Sequence, residues 1–347
     1  EHGTLPWRHA AISGWILDPD RKKMSKSKGN VVTPMGLLET HGSDAVRYWA
    51  AAARLGTDAA FDEGQMKIGR RLAMKVLNAS KFVLGATGIA TAAGASLESG
   101  VKAASAVTAA AVTEPLDRAM LSALADAVDT ATRALEGYDH TRALEAAETL
   151  FWTFCDDYLE LVKARAYDGA APGEAIDPHA PCSPGAASAR AALTLALHTF
   201  LRLFAPVLPF ATEEVWSWFQ NGSVHHAAWP ESGHLREVAG VTSAGAPLLA
   251  ASGEALSVLR KVKSEAKVSQ RTEIESIDLL VPEAKVALVR AASADLRAAG
   301  RVRSMQIVDA TAALEPGVDG LAPEDGSADE IADVTVMRTE NAVLAAQ

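Results

Sequence analysis

The feature that most constrains the fold is an apolar stripe between residues 140 and 166. Apolar side chains recur there at the i, i+3, i+4 and i+7 steps of one helix face: Leu144, Ala147, Leu150, Phe151, Phe154, Cys155, Tyr158, Leu161 and Val162. Residues 116–135 and 187–203 repeat this periodicity, and a shorter segment follows at 212–219. Because helices with one apolar face bury it against each other, we expect an antiparallel helical bundle and a mainly α chain.

Composition narrows the class of protein. The chain has 347 residues, of which 49% are hydrophobic and 22% charged, and this length predicts two or three domains. No run approaches the roughly 18 apolar residues of a membrane span, so we expect no membrane protein. The only cysteines, Cys155 and Cys182, exclude a disulfide scaffold and favour the cytoplasm. Since the chain opens without Met or a signal peptide, we expect it to be the back part of a longer protein.

The charge is distributed unevenly along the chain. The formal net charge is −10, yet residues 1–85 contain 13 Lys+Arg against 8 Asp+Glu, which leaves 20 against 35 for the rest. Residues 63–84 predict a long amphipathic helix whose basic face carries Lys67, Arg70, Arg71, Lys75 and Lys81. Such a face suits RNA phosphates, and an ordinary solvated helix face accounts for it equally well.

The other segments predict shorter elements and loops. Before the bundle we expect a strand over His9–Leu17 and helices from Pro34 and over Asp44–Leu55. We expect a linker at 85–112 and a loop at 168–186. After the bundle we expect a helix over Leu256–Lys267, strands at Ile274–Val281 and Val302–Val308 around a helix at Val286–Ala299, and a last strand at Asp333–Arg338. The pattern after residue 236 is typical of a small α/β domain, and 311–347 of an acidic tail.

A lysine-rich loop carries the clearest chemical signal. It reads Lys22-Lys23-Met24-Ser25-Lys26-Ser27-Lys28-Gly29-Asn30. Four ammonium groups, two hydroxyls and a glycine suit several phosphate oxygens at once, and such cations stabilise charge that develops on departing phosphates. By composition alone, a solvated surface loop or a localisation patch is the commoner explanation.

The order of residues in this loop resembles a family signature. Lys23-Met24-Ser25-Lys26-Ser27, followed by Lys28-Gly29-Asn30, is similar to the KMSKS motif of class I aminoacyl-tRNA synthetases. The resemblance implies the end of a Rossmann-type catalytic domain and ATP as a substrate, with Mg²⁺ expected and no metal site in this chain. It implies that Lys26 contacts the ATP phosphates, supported by Lys23, Ser25 and Ser27, with Met24 in the same ATP-binding loop.

Further segments resemble the valyl, isoleucyl and leucyl subgroup of that family. They are residues 14–18, 31–34 and 42–48 around the loop, 154–163 and 209–216 in the predicted bundle, and 260–271 after it. Residues 61–84 are most similar to valyl enzymes, notably at Asn78-Ala79-Ser80-Lys81-Phe82. The resemblance implies an anticodon-binding bundle, with tRNA(Val), ATP and valine as partners and a monomeric enzyme. It fades after residue 270.

The sequence also departs from the family pattern. It contains no His-Ile-Gly-His motif, and the amino-acid pocket and the editing domain are missing. We therefore interpret the chain as the carboxyl-terminal portion of a valyl-tRNA synthetase: the end of the catalytic domain at 1–56, the helical anticodon-binding domain at 57–235, the α/β domain at 236–310 and the tail. An isoleucyl or leucyl enzyme, or a non-catalytic tRNA-binding relative, remains open.

Several other residues allow both a functional and a purely structural interpretation. Trp152, Phe154 and Tyr158 suit stacking on unpaired RNA bases, but the last two lie on the apolar stripe, which favours core packing. The pair His225-His226 lacks partners at metal-ligand spacing, and Cys155 on the apolar stripe is typical of an inert thiol.

Overall fold

The computed structural model describes residues 3–89, 110–170, 174, 176–177, 180–240, 245–311 and 337–344, and the fold is mainly helical, which confirms the predicted class. The α-helices are α1 (Pro34–His41), α2 (Ser43–Ala51), α3 (Glu63–Thr87), α4 (Pro115–Glu136), α5 (His140–Thr153), α6 (Leu159–Tyr167), α7 (Pro184–Phe204), α8 (Pro209–Ser217), α9 (Ser232–Ala239), α10 (Gly245–Glu265), α11 (Glu283–Ala291) and α12 (Ser293–Gly300). The strands are β1 (Ile16–Leu17), β2 (Ala59–Ala60), β3 (Ile274–Val281), β4 (Val302–Asp309) and β5 (Arg338–Leu344).

Local sequence signals define the starts of the bundle helices. Proline opens α4, α7 and α8, where its fixed φ and missing N–H cost nothing. Asp62 caps α3 by accepting a hydrogen bond from Gly64 N–H, and Asp139 caps α5 through Arg142 N–H. These boundaries therefore follow from residues that are visible in the sequence.

Helices α5 and α6 form one rod that is interrupted by a π-helical turn at Phe154–Tyr158. The sequence predicted a single regular helix here. Within this turn the backbone oxygen of Asp156 accepts both Nη1–H and Nη2–H of Arg260 at 3.1 Å. Such turns often occur at functional sites. Gly253 of α10 packs against this turn, since an added Cβ would lie 2.7 Å from Oδ2 of Asp157.

One hydrophobic core runs from α2 to β5. It joins the bundle to the carboxyl-terminal strands, because α10 packs on α4 and also against α11, α12 and β5. Strand β3 pairs parallel to β4 and antiparallel to β5, in the order β4-β3-β5, and α11 and α12 form the crossover between β3 and β4. The predicted α/β arrangement is present, and it shares its core with the bundle.

Three predicted elements differ from the structure. The strand over His9–Leu17 is wrong except at Ile16 and Leu17, since only these residues pair with β2. The helix predicted over Leu256–Lys267 is α10, which begins earlier, at Gly245. Burial of Leu248 and Leu249 stabilises this first part, although residues with low helix propensity lie beside them. The single helix predicted at 286–299 is two helices that meet at Ala292, where φ is −104° and ψ is 9°.

The predicted linker and the last predicted strand also need correction. Residues 85–87 continue α3, and Val112 is buried in the core, so the linker boundaries were wrong at both ends; residues 90–109 lie outside the described part. The strand predicted at 333–338 falls mostly outside it too, and β5 begins at Arg338. No helix in the described ranges is long and apolar enough to cross a membrane.

Candidate functional site

The lysine-rich loop is pinned at its base by Asp18 and Asn30. Asp18 follows β1, and its Oδ1 accepts Lys22 N–H at 2.7 Å while its Oδ2 accepts the Asn30 side-chain amide at 2.8 Å. The backbone N–H of Lys22, then the Asn30 amide, lower the pKa of Asp18. Asn30 also accepts Ser25 N–H at 2.9 Å and donates to the Lys23 carbonyl at 3.2 Å. Both ends of the loop are therefore fixed to one carboxylate and one amide.

The tip of the loop is a short 3₁₀ turn at Lys26–Lys28. Ser25 caps it by accepting Lys28 N–H on Oγ, and the Ser25 and Ser27 hydroxyls lie 2.7 Å apart. Gly29 ends the turn at a φ of +68°, a conformation that glycine adopts without steric cost. The two serines and the glycine thus shape the turn that carries Lys26.

The four lysines of the loop have different surroundings. Lys22 lies 3.5 Å from Asp20, and Lys23 Nζ lies 3.6 Å above the ring of Trp15. Lys26 and Lys28 are exposed and form no ion pair with any residue that the structure describes. Since no neighbouring carboxylate neutralises them, these two ammonium groups are available to an anion.

An apolar cleft of about 720 Å³ adjoins the loop. Trp15, Met24, Val32, Leu37 and Trp49 are among its lining residues. Trp15 is 60% exposed although it is apolar. Met24 therefore contributes to the apolar wall, beside the cationic tip.

The basic face of α3 is partly engaged in contacts within the chain. Arg70 donates to the Thr40 carbonyl at 2.7 Å, Lys75 pairs with Asp156 at 2.8 Å, Arg71 lies 5.3 Å from the ring centre of Trp152, and Lys81 lies 5.8 Å from that of Trp218. Lys67 is exposed and has no ion pair within the described ranges. The sequence thus located a basic face but not the aromatic and acidic side chains beneath it.

The aromatic residues of the apolar stripe belong to the core. Phe154 and Tyr158 are at most 1% exposed, which confirms the core-packing interpretation. Trp152 remains half-buried and donates its Nε1–H to Glu148. Burial raises the pKa of the Cys155 thiol to about 12, so this thiol stays protonated and inert at neutral pH.

Sequence reasoning missed a buried ionic network around Arg165. Its guanidinium donates to Asp117 at 2.7 Å and to both carboxylate oxygens of Asp295 at 3.0 Å. Tyr158 and Ser188 donate to Asp117 as well, so α4, α6, α7 and α12 meet at one cluster. Burial alone lowers the pKa of Arg165, but its hydrogen bonds to the two carboxylates outweigh this effect and raise it. In the sequence, the only sign of this network was an aspartate, Asp117, next to an apolar run.

Two family models match the chain. The model of class I tRNA synthetases (I, L, M and V) matches residues 2–62, which include the lysine-rich loop, and the anticodon-binding domain of tRNA ligase matches residues 117–279. Both matches agree with the class that the motif predicted, the class I tRNA synthetases.

Within that family, the chain is similar to the carboxyl-terminal part of valine–tRNA ligases. It is 56% identical to the valine–tRNA ligase of Thermobifida fusca over 94% of this chain and 34% of that protein. The identity to the valine–tRNA ligase of Leifsonia xyli subsp. xyli is 54%, over 87% of this chain and 32% of that protein. The identity to the valine–tRNA ligase of Cutibacterium acnes is 47%, over 88% of this chain and 32% of that protein. The chain spans about a third of the length of these relatives.

A solved structure also overlaps in part. A chain of the LeuRS–tRNA–LeuAMS complex of Agrobacterium radiobacter K84 matches with a TM-score of 0.47 and 19% identity, over 65% of this chain and 24% of that one. This likeness is too low to bear on the assignment.

Proposed function

We propose that the chain is the carboxyl-terminal part of a valine–tRNA ligase. The complete enzyme activates valine with ATP, releases pyrophosphate and transfers the acyl group to tRNA(Val). This part supplies the KMSKS loop and the anticodon-binding bundle. The identity to valine–tRNA ligases over nearly the whole chain supports the choice of amino acid.

The observation that carries the catalytic part of the proposal is the unneutralised charge of Lys26 on a loop pinned at its base. Negative charge grows on the departing pyrophosphate during adenylation, and a fixed cation stabilises it more in the transition state than in the ground state. Lys26 contacts the phosphates directly in this assignment. Lys23, Ser25 and Ser27 shape and support the loop, and Met24 contributes an apolar wall to the ATP site.

The tRNA-binding part of the proposal is assigned to the bundle at 57–235. Lys67 and Arg71 on α3 are exposed, and Arg70, Lys75 and Lys81 extend the same face, so this helix suits the phosphates of an anticodon stem. The residues at 1–56 end the catalytic domain, and those at 236–310 form the α/β unit beside the bundle. The enzyme acts as a cytoplasmic monomer in this proposal.

Mg²⁺ is expected to accompany ATP in this family. The described residues contain no group of three or more His, Cys, Asp or Glu side chains that fits a metal ion. The role of Lys26 is derived from the residues of this chain alone.

The test uses the complete protein, including the part of the catalytic domain that lies outside this chain. Valine-dependent exchange of pyrophosphate into ATP is measured beside isoleucine and leucine, and then charging of tRNA(Val). The proposal predicts exchange with valine at least about 100-fold above that with leucine. Preferred activation of isoleucine or leucine would assign the chain to that enzyme instead. Binding of tRNA without any exchange would favour the non-catalytic relative.

A further inference from the structure

A second basic surface lies far along the sequence from the KMSKS loop. It is a cleft of about 1070 Å³ between α6, α10 and α12. Five cations line it, Lys163, Arg260, Lys263, Arg271 and Arg301, whereas Glu160 is its only lining carboxylate among the described residues. This excess of positive charge occurs in the part of the chain after residue 85, where acidic residues outnumber basic ones by 35 to 20.

Two of these cations build the cleft. Lys263 is 2% exposed, and its Nζ donates to the carbonyls of Gln270 at 3.0 Å and Gly300 at 2.7 Å. It therefore ties the end of α12 to the loop after α10. Arg260 uses two of the five N–H donors of its guanidinium on the carbonyl of Asp156, which leaves three for a ligand.

The other three cations have little or no compensation. Arg271 and Arg301 are exposed, and neither forms an ion pair with a residue in the described part. Lys163 faces Glu160 at 3.9 Å, with both side chains more than 40% exposed. An exposed pair of that length contributes little, so Lys163 keeps most of its attraction for an anion.

The cleft lies beside the basic face of α3. Asp156 connects the two surfaces, because its carboxylate pairs with Lys75 of α3 while its backbone oxygen accepts Arg260. Tyr167, which lines the cleft, also packs edge-on against Phe82 of α3, with ring centres 5.9 Å apart. A polyanion bound along α3 therefore lies next to the cations of the cleft.

We propose that this cleft binds the phosphate backbone of a tRNA, with Arg271 and Arg301 as its main phosphate contacts. The inference rests on the proposed function for the identity of the RNA, and it adds a contact at the carboxyl-terminal unit. Arginine suits the role because its planar fork pairs with two phosphate oxygens at once. Backbone contacts carry no base information, so the cleft strengthens and orients binding without selecting the anticodon.

The test measures binding of fluorescently labelled tRNA(Val) to the whole chain across a series of salt concentrations. The double variant Arg271→Ala/Arg301→Ala is compared with Lys261→Ala/Arg290→Ala, which removes two exposed cations outside the cleft. Each lost phosphate contact lowers the log–log salt slope by about 0.7–0.9. We expect the cleft variant to lose about 1.5 from that slope and to bind about 30-fold more weakly at 0.1 M salt.

The remaining outcomes separate the two proposals. Arg271→Lys/Arg301→Lys keeps both charges and should restore the salt slope, but only part of the affinity, because lysine lacks the planar fork. Thermal melting should show that all variants stay folded. Equal affinity and slope for the cleft and control variants would overturn the cleft assignment while leaving tRNA binding intact. If the unmodified chain binds no tRNA, both the cleft assignment and the proposed tRNA partner fail. Equal weakening toward tRNA(Val) and tRNA(Phe) is expected, because the cleft reads no bases.

Discussion

The KMSKS loop and the Arg165 cluster use cationic side chains in opposite ways. Lys26 is exposed, has no carboxylate partner in the described structure and sits on a turn held at its base by Asp18 and Asn30. Arg165 is largely buried and hydrogen-bonds two carboxylates, Asp117 and Asp295. Lys26 is therefore available to a ligand, whereas the charge of Arg165 is already used by the fold.

This difference separates binding cations from structural ones. A cation that is left unpaired on a preorganised backbone gains its partner only when an anion arrives. A cation buried between carboxylates contributes to stability instead, and removing it leaves those carboxylates uncompensated. Mutations in the two regions should consequently affect different measurements, activity in one and unfolding in the other.

The largest expected effect is on stability, at the buried cluster. Arg165→Ala leaves Asp117 and Asp295 buried without their cation, so we expect a loss of about 3–5 kcal/mol in the free energy of unfolding. Arg236→Ala is the matched control, since Arg236 pairs with Asp126 and Asp129 at the surface and should cost at most about 1 kcal/mol. Urea unfolding followed by circular dichroism measures both. Similar losses for the two variants would contradict the distinction.

The next effect is on catalysis, at the tip of the loop. Lys26→Ala in the complete enzyme should reduce pyrophosphate exchange about 100-fold or more, because it removes a fixed charge from the developing pyrophosphate. Lys22→Ala serves as the control, since Lys22 faces Asp20 and lies outside the turn. The melting temperature of both variants should remain that of the unmodified enzyme. Unchanged exchange in Lys26→Ala would remove this residue from the mechanism.

A smaller effect tests a largely buried histidine that has no acidic partner among the described residues. Burial, and then the charge of Arg202, lower the pKa of His198 from 6.5 to about 4, with its ring 4.8 Å from that of Trp216. The neutral form is therefore favoured in the folded state, and its stabilising contribution is lost as the pH falls from 6.5 toward 4. We expect the folding free energy to drop by about 2 kcal/mol between pH 7.5 and 5 from this residue. His198→Phe should abolish that part of the pH dependence of the urea midpoint.

The smallest expected effect concerns the base of the loop. Asn30→Ala removes three hydrogen bonds that position the turn while Lys26 remains in place. We expect about 10-fold slower exchange, with the loss in kcat rather than in the KM for ATP, since the looser loop binds ATP but aligns its charge less well. Asn30→Asp keeps the acceptor for Ser25 N–H but repels Asp18, so it should not restore activity. A normal kcat in Asn30→Ala would show that the turn keeps its conformation without the hydrogen bonds of Asn30.

The sequence was informative where structure depends on local residues. The helices predicted from Pro34 and from residue 63 begin there, and strand β3 matched its predicted bounds, because caps and alternation act within a few positions. The KMSKS motif likewise identified the loop and the family. These features require no knowledge of distant contacts.

Features that depend on distant residues escaped prediction. The π turn at Phe154–Tyr158 is matched to Arg260 and Gly253, about a hundred residues later. The engagement of Lys75 and Arg71 depends on Asp156 and Trp152 of another helix. No periodicity in one segment reports such pairings, so a basic face was visible in the sequence but its paired and unpaired members were not.

Capture of total tRNA by this chain shows whether it recognises valine acceptors. The chain is incubated with unfractionated tRNA at low and moderate salt, and the bound RNA is sequenced. The account predicts enrichment of valine acceptors that persists when the salt concentration rises, because anticodon contacts add to the phosphate contacts. Equal recovery of all tRNAs that vanishes with salt, or enrichment of isoleucine or leucine acceptors, would contradict it.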